Sequence, residues 1–150
     1  MLVKQSDEVT PWFRRSKLDG RNPLGDDGPG VAARAALRRG QAQQVFADEP
    51  RVQIRCGDWR ELAQQAPFDL LVLDGGGQGK GDEPPLEPAE WLRPGGVVVL
   101  DDFTPGAGWP PRVGGSLDEA RLYWLEHPRL RTAEVRVTPT AASLVATYIG

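Results

Sequence analysis

Phe68-Asp69-Leu70-Leu71-Val72-Leu73-Asp74 is the stretch that decides the fold, together with Gly96-Val97-Val98-Val99-Leu100-Asp101-Asp102 farther along the chain. Each is an apolar run of strand length that ends in a carboxylate. Strands buried on both faces of a parallel sheet show such continuous runs, and ligand crevices lie beyond their carboxyl ends. The sequence therefore predicts an α/β sheet with Asp74, Asp101 and Asp102 gathered at one edge.

The composition of the chain argues against several classes of protein. The chain has 150 residues, enough for one domain with a real core. Its net charge of -3 and pI of 5.2 lack the basic surface that nucleic-acid binding needs. A single cysteine, Cys56, cannot form an internal disulfide, and we interpret it as a small buried hydrophobe. No apolar run approaches the ~18 residues of a membrane span, so we expect a cytoplasmic protein with no nucleic-acid or membrane partner.

The amino-terminal part of the chain shows little periodicity. Residues 1–30 combine many charges with glycines and prolines, which predicts an irregular or disordered segment ahead of a single domain over residues 31–150. From Val31 to about Asp48 the apolar positions recur with helical spacing, and Pro50 ends the pattern. We therefore expect the folded domain to begin with a helix.

Strands and helices alternate through the middle of the chain. Residues 51–56 alternate polar and apolar side chains, the period-two pattern of a half-buried strand. Asp58 is placed to cap a short helix that ends before Pro67. A Gly/Pro-rich loop over residues 75–85 and a short helix over 88–92 separate the two apolar strands. Alternation of strands and helices is typical of a parallel α/β sheet.

The carboxyl-terminal third adds one helix and two strands. Ser116 and Glu119 form an S-x-x-E capping box, which predicts a helix that Pro128 ends. The β-rich runs over residues 133–137 and 143–149 are joined by a short loop, which predicts an antiparallel pair. The expected sheet is thus mostly parallel and closes with an antiparallel hairpin.

Several motifs, taken in order along the chain, resemble those of class I S-adenosylmethionine-dependent methyltransferases over about residues 41–150. They are Gly57-Asp58-Trp59 after the third strand, the acidic end of the fourth strand, Leu92-Arg93-Pro94-Gly95-Gly96 before the fifth, and Asp101-Asp102 at its end. The resemblance implies a three-layer Rossmann-like methyltransferase fold, mostly parallel with an antiparallel carboxyl-terminal hairpin and truncated at its amino-terminal strands. In this family the first two strands lie between the third and the fourth.

The resemblance also assigns a cofactor and the residues that contact it. It implies S-adenosylmethionine, bound by Asp58, Trp59, Asp74 and Gly75. Asp58 corresponds to the acidic residue that accepts a hydrogen bond from the adenine amine of the cofactor. The position of Asp58 fits a plain helix N-cap equally well, and both roles can hold together.

A metal ion and a catalytic base are implied by one branch of the family, the catechol-type O-methyltransferases. Asp74, Asp101 and Asp102 match the residues that hold Mg²⁺ there, with aspartate in place of a final asparagine; alternatively, these carboxylates face solvent. Lys80 is the candidate base beside Asp74, although its spacing departs from the family pattern. The alternative for Lys80 is a solvated loop lysine.

Two features of the family have no counterpart in the sequence: the glycine-rich turn after the first strand and the acidic end of the second. Without those strands the apolar edge of the 68–73 strand would be bare. We consider three explanations, namely direct pairing with the 51–56 strand, cover by a second copy in a homodimer, and a shifted reading frame before about residue 41.

The leading functional hypothesis is an S-adenosylmethionine-dependent methyltransferase that transfers a methyl group to the oxygen of a small-molecule acceptor. The alternative is a catalytically inactive or fragmentary methyltransferase-like domain that acts as a binding or dimerisation module. The absence of the glycine-rich turn favours the alternative.

Overall fold

A computed structural model describes residues 2–5, 8–14 and 30–150 of the protein. The strands are β1 Leu2–Gln5, β2 Glu8–Arg14, β3 Arg55–Gly57, β4 Phe68–Leu73, β5 Leu92–Phe103, β6 Arg112–Val113, β7 Ser116–Leu117, β8 Leu130–Arg136 and β9 Ala142–Tyr148. The helices are α1 Gly30–Val45, a 3₁₀ helix Trp59–Gln65, α2 Pro88–Trp91 and α3 Glu119–Glu126. In this part of the chain no helix is long and apolar enough to cross a membrane.

Seven of the described strands form one mixed sheet, in the order β3-β2-β1-β4-β5-β9-β8. β2 pairs in parallel with β3, and β4 with β5, whereas the other neighbours are antiparallel. Most strands nevertheless share one direction, because only β1 and β9 run against the rest. The expected α/β sheet with an antiparallel carboxyl-terminal hairpin is confirmed.

The amino-terminal hairpin is the main departure from the expected structure. Residues 2–5 and 8–14 are strands, although the sequence predicts an irregular segment over residues 1–30. The other residues of that segment lie outside the described ones, and the domain boundary at residue 31 stays a prediction. β1 pairs with β4 on one side and with β2 on the other. Direct pairing of β3 with β4 is therefore wrong, because two strands separate them, and β1 covers the edge of β4.

The connection between β1 and β2 is short. Only Ser6 and Asp7 separate the two strands in the sequence, and Gln5 lies opposite Glu8 in the antiparallel register. A glycine-rich turn followed by a crossover helix needs a dozen or more residues. β1 and β2 thus lie between β3 and β4, where the resemblance predicts two strands, but the two residues between them in the sequence are too few for a glycine-rich turn and a helix.

The core lies on one face of the sheet, under α2, α3 and the 3₁₀ helix. Alternate residues of the central strands point to this face and are fully buried: Leu71, Leu73, Val98, Leu100 and Leu144. The helices contribute Trp124, Leu62 and Trp91 to the same cluster. The rings of Trp59 and Trp91 pack with centroids 5.3 Å apart, so the chain after β3 is fixed against α2.

Several predicted elements fall close to their expected places. The helix expected from residue 31 is α1, and the strand expected over 51–56 is shorter, because only Arg55–Gly57 pairs with β2. β8 and β9 pair along their whole length, from Leu130 opposite Tyr148 onwards. These elements are predictable because the hydrophobic pattern of each lies within its own residues.

The start of α3 differs from the predicted capping box. Ser116 belongs to β7 and pairs with Val113 of β6, so its backbone is held in a strand. The N-cap is Asp118, whose carboxylate accepts a hydrogen bond from the backbone N–H of Arg121 at 3.1 Å. The helix therefore begins at Glu119, and Ser116 does not cap it.

Substituting Asp118 and Ser116 one at a time should show which of them caps α3. We expect Asp118→Ala to lower the free energy of unfolding by about 1 kcal/mol, because an N-terminal N–H of α3 loses its acceptor. Ser116→Ala should change it by less than about 0.5 kcal/mol, as at other exposed positions. Urea denaturation followed by circular dichroism measures both. A larger loss from Ser116→Ala would contradict the cap observed at Asp118.

Candidate functional site

The carboxyl ends of β4 and β5 form the edge at which the sequence places a site. Asp74 follows β4 directly and is exposed, as are Asp101 and Asp102 near the end of β5. The pairing of β5 with β9 is irregular between Leu100 and Phe103. Asp102 has a left-handed backbone conformation with φ of 62°. The chain therefore turns at these aspartates. The alternation of side chains along a regular strand does not determine which way they point.

Gln78 joins the two strand ends. Its side chain is buried, and Nε2 donates hydrogen bonds to the carbonyl oxygens of Leu73 at 2.6 Å and Asp101 at 3.2 Å. The backbone carbonyl of Gln78 accepts a hydrogen bond from the indole N–H of Trp124 at 2.8 Å. Gln78 was not predicted from the sequence, because a glutamine among glycines is typical of a solvated loop.

Lys80 holds the end of β5. Its Nζ donates to the backbone carbonyls of Asp101 at 2.8 Å and Asp102 at 2.7 Å, and it lies 4.1 Å from the centroid of the Phe103 ring. Desolvation by burial lowers the pKa of Lys80, and nearby carboxylates, with Asp102 first, oppose the shift. Lys80 is thus more than a solvated loop lysine. To act as a base, its amine would have to leave the two carbonyls.

The three predicted metal ligands are not brought together as a metal site. The carboxylate of Asp101 accepts a hydrogen bond from Oγ of Ser143 at 2.8 Å. The backbone N–H of Asp102, and then this hydroxyl, lower the pKa of Asp101. Within residues 2–5, 8–14 and 30–150, no group of three His, Cys, Asp or Glu side chains could hold a metal ion. The magnesium prediction therefore gains no support from the described part of the chain.

Asp58 caps the 3₁₀ helix that follows β3. Its carboxylate accepts a hydrogen bond from the backbone N–H of Arg60 at 3.0 Å and forms an ion pair with the Arg60 guanidinium at 3.2 Å. The guanidinium also pairs with Glu83, whose other carboxylate oxygen accepts from the N–H of Gly77 at 3.2 Å. The N-cap role of Asp58 is confirmed. Arg60 and Glu83, which were not predicted from the sequence, link the loops after β3 and β4.

Trp59 lies beneath the loop that follows β4. Its side chain is 6% exposed, and a Cβ added at Gly76 would lie 2.2 Å from the indole Nε1. Only glycine therefore fits at position 76. Gly75 is exposed and has φ of 126°, which also favours glycine. Trp59 is a core residue as placed, and a contact between its ring and a cofactor would require this loop to move.

A cavity of about 420 Å³ opens beside the loop after β4. Its walls are Gly79, Gly81, Asp82, Glu83, Pro84 and Pro85 from this loop, and Glu119, Ala120 and Tyr123 from α3. The hydroxyl of Tyr123 donates to the carbonyl of Leu86 at 3.1 Å, and burial raises the pKa of Tyr123 to about 12, so the phenol stays protonated at neutral pH. The cavity volume is in the range of small-molecule sites.

Comparisons with known proteins give a distant structural likeness. No protein-family model and no curated protein matches the sequence. Among solved structures, the chain is similar to the SAH-bound methyltransferase PaMTH1 of Podospora anserina, with 16% sequence identity and a TM-score of 0.47. The match covers 95% of this chain and 61% of that one, so this chain spans less than two thirds of the length of that methyltransferase.

Proposed function

We propose that this chain is an S-adenosylmethionine-dependent methyltransferase domain that methylates an oxygen of a small-molecule acceptor. The strand order carries the proposal: β1 and β2 lie between β3 and β4, and the antiparallel β9 lies between β5 and β8. This order brings the carboxyl ends of β3, β4 and β5 to one edge, where ligands of open α/β sheets bind. Three of the residue groups that resemble methyltransferase motifs lie at these strand ends, namely Asp58 after β3, Asp74 after β4 and Asp101-Asp102 near the end of β5.

The residues at this edge fit the adenosine half of the cofactor. The side chain of Asp58 is 48% exposed, and a carboxylate can accept several hydrogen bonds at once. Asp58 could therefore accept a hydrogen bond from the adenine amine and keep its cap bond to Arg60. Asp74 and Gly75 are exposed directly after β4 and would border the same ligand.

The chain's own contribution to catalysis would be to position the reactants and to accept a proton. When bound, S-adenosylmethionine supplies an electrophilic methyl group for in-line transfer to the acceptor. Holding the acceptor oxygen in line with that group lowers the entropic part of the barrier. Lys80 is the candidate base, because its amine lies at the end of β5 beside Asp101 and Asp102, where burial lowers its pKa. Asp74 would help to orient the acceptor.

A second candidate is a binding or dimerisation module without methyltransferase activity, and one observation favours it. The two-residue connection between β1 and β2 has no room for the turn through which the backbone approaches the methionine half of the cofactor. The adenosine half of the cofactor would thus meet Asp58, Asp74 and Gly75, whereas the methionine half would lack its usual binding element. Cofactor binding separates the two candidates.

Calorimetric titration of the full chain with S-adenosylmethionine and S-adenosylhomocysteine tests the proposal. We expect saturable binding that Asp58→Ala weakens about tenfold or more, the effect of losing a hydrogen bond to a charged group. Repeating the titration with Mg²⁺ tests the metal prediction, and we expect unchanged affinity. Absence of binding by a folded sample would overturn the methyltransferase proposal and favour the binding module.

A matched variant separates the two roles of Asp58. Serine caps helices about as well as aspartate, but its side chain is shorter and carries no charge. Asp58→Ser should therefore keep the stability of the natural protein and lose as much cofactor affinity as Asp58→Ala. If Asp58→Ser retained full affinity, the loss in the alanine variant would come from the helix cap rather than from a ligand contact.

A further inference from the structure

We infer that the cavity between the loop after β4 and the start of α3 binds a small organic cation, a primary amine attached to an apolar body. The cavity has a volume of about 420 Å³. Carboxylates and an aromatic ring both line it, and each of these groups attracts a cation by a different physical interaction. The inference concerns binding at this cavity and does not require the cofactor.

The charges on the cavity wall are negative. Asp82, Glu83 and Glu119 line the cavity, and none of its lining residues is Lys, Arg or His. Glu83 is already paired with Arg60 and accepts the N–H of Gly77. Asp82 and Glu119 are exposed carboxylates, one on the loop and one on α3. A ligand ammonium group would therefore meet two carboxylates that Arg60 does not neutralise.

Neither the N-terminus of α3 nor the ammonium of Lys80 reverses this sign. The N-terminus of α3 would by itself favour an anion, but Asp118 caps it and Glu119 adds a negative charge in its first turn. The ammonium of Lys80 is engaged with the carbonyls at the end of β5 and lies over the ring of Phe103. Lys80 is not among the residues that line the cavity, although its glycine neighbours are.

Apolar groups complete the cavity wall. Tyr123, Pro84 and Pro85 line it, and the face of an aromatic ring attracts a cation that lies close to it. The Tyr123 ring is fixed in place, because its hydroxyl donates to Leu86 and the ring packs at a right angle to that of Trp124, with ring centroids 5.2 Å apart. A ligand with an ammonium head and a short apolar body matches both kinds of wall.

The position of the cavity suggests a role for its occupant. Gly79 and Gly81 line the cavity on either side of Lys80, the candidate base. The occupant would then be an amine-bearing methyl acceptor. This assignment of role rests on the proposed function, whereas the binding of a cation does not.

An NMR titration of the full chain tests the inference with benzylamine, without any cofactor. Benzyl alcohol and benzoate, which share its ring, are the neutral and anionic comparisons. We expect saturable amide shifts centred on Gly79, Gly81 and Glu119, and affinity for benzylamine about tenfold higher than for the other two probes. Added NaCl should weaken the binding of benzylamine. Equal affinity for all three probes, no binding of benzylamine, or shifts centred elsewhere would overturn the inference, whatever the outcome of the cofactor titration.

A charge-removing double variant provides the second test. Asp82→Asn with Glu119→Gln keeps the size of both side chains, and we expect it to weaken benzylamine binding about tenfold. The matched control is Glu90→Gln with Glu126→Gln, which removes the same charge from exposed positions that do not line the cavity. This control should bind benzylamine as the natural protein does. An equal loss in both double variants would reflect net charge alone and would contradict binding at the cavity.

Discussion

Replacing Trp124 with alanine should lower the free energy of unfolding by about 3–5 kcal/mol, the range measured for large-to-small changes at buried aromatic residues. The Trp124 side chain is fully buried between α3 and the sheet. Its indole N–H donates to the carbonyl of Gln78 at 2.8 Å. The substitution would leave a cavity and also remove the donor from a buried carbonyl, so two unfavourable effects add.

Urea denaturation followed by circular dichroism measures the effect of this substitution. Trp109→Ala is the matched control, because the same side chain is removed from a position that is 63% exposed. We expect the control to change the free energy of unfolding by less than about 0.5 kcal/mol. Losses of similar size at Trp124 and Trp109 would contradict the packing of α3 described above.

The second large effect is expected at Gln78. Gln78→Leu keeps a side chain of similar bulk but removes the amide that donates to the carbonyls of Leu73 and Asp101. The carbonyl of Asp101 keeps the ammonium of Lys80 as a donor, but the carbonyl of Leu73 loses this donor inside the protein. A buried acceptor left without a donor costs about 1–3 kcal/mol, and the free energy of unfolding should fall by about that amount. Because Gln78 joins the ends of β4 and β5, amide hydrogen exchange should also accelerate at residues 100–102.

Gln64→Leu is the control for this experiment. Gln64 is exposed on the 3₁₀ helix, so the same change there should be close to neutral. Unchanged stability in Gln78→Leu would mean that water replaces the lost donor at the carbonyl of Leu73. Faster exchange confined to residues 100–102 would localise the role of Gln78 to the strand ends.

The central strands could be predicted, because the residues that mark each strand lie within it or directly beside it in the sequence. β4 is an apolar run that begins after Pro67, and the apolar part of β5 follows the Pro94-Gly95 pair. β5 is longer than expected, since it already pairs at Leu92, opposite Phe68. Pairing across such a turn-forming sequence depends on the neighbouring strand. The element types could therefore be predicted, but not where the pairing begins.

The amino-terminal hairpin could not be predicted for a related reason. β1 has four residues and β2 contains Pro11, which lowers the expectation of a strand there. What makes them strands is the open edge of β4, which supplies hydrogen-bonding partners from residues 70–72. Strand preference depends strongly on such neighbours. The sequence pattern of residues 2–14 does not indicate a pairing partner more than fifty residues away.

The position of the candidate site at one edge of the sheet could be predicted from the sequence, but the contacts made there could not. The aspartates after β4 and near the end of β5 could be placed there from the lengths of the apolar runs. The contacts of Lys80 and Gln78 are made to backbone carbonyls, which every residue carries. Sequence therefore does not indicate which carbonyl a side chain will meet. The cavity beside α3 likewise depends on how a loop and a helix pack.

The reversed direction of β1 has a practical consequence for preparing the protein. Leu2 lies opposite Val72, so the first described strand begins at the edge where Asp74 lies. β9 runs against β5 and ends at Tyr148, at the opposite edge of the sheet. An affinity tag fused ahead of β1 would emerge beside the candidate site and could compete with added ligands. A tag fused after β9 would leave that edge clear, and protein for the titrations should carry it there.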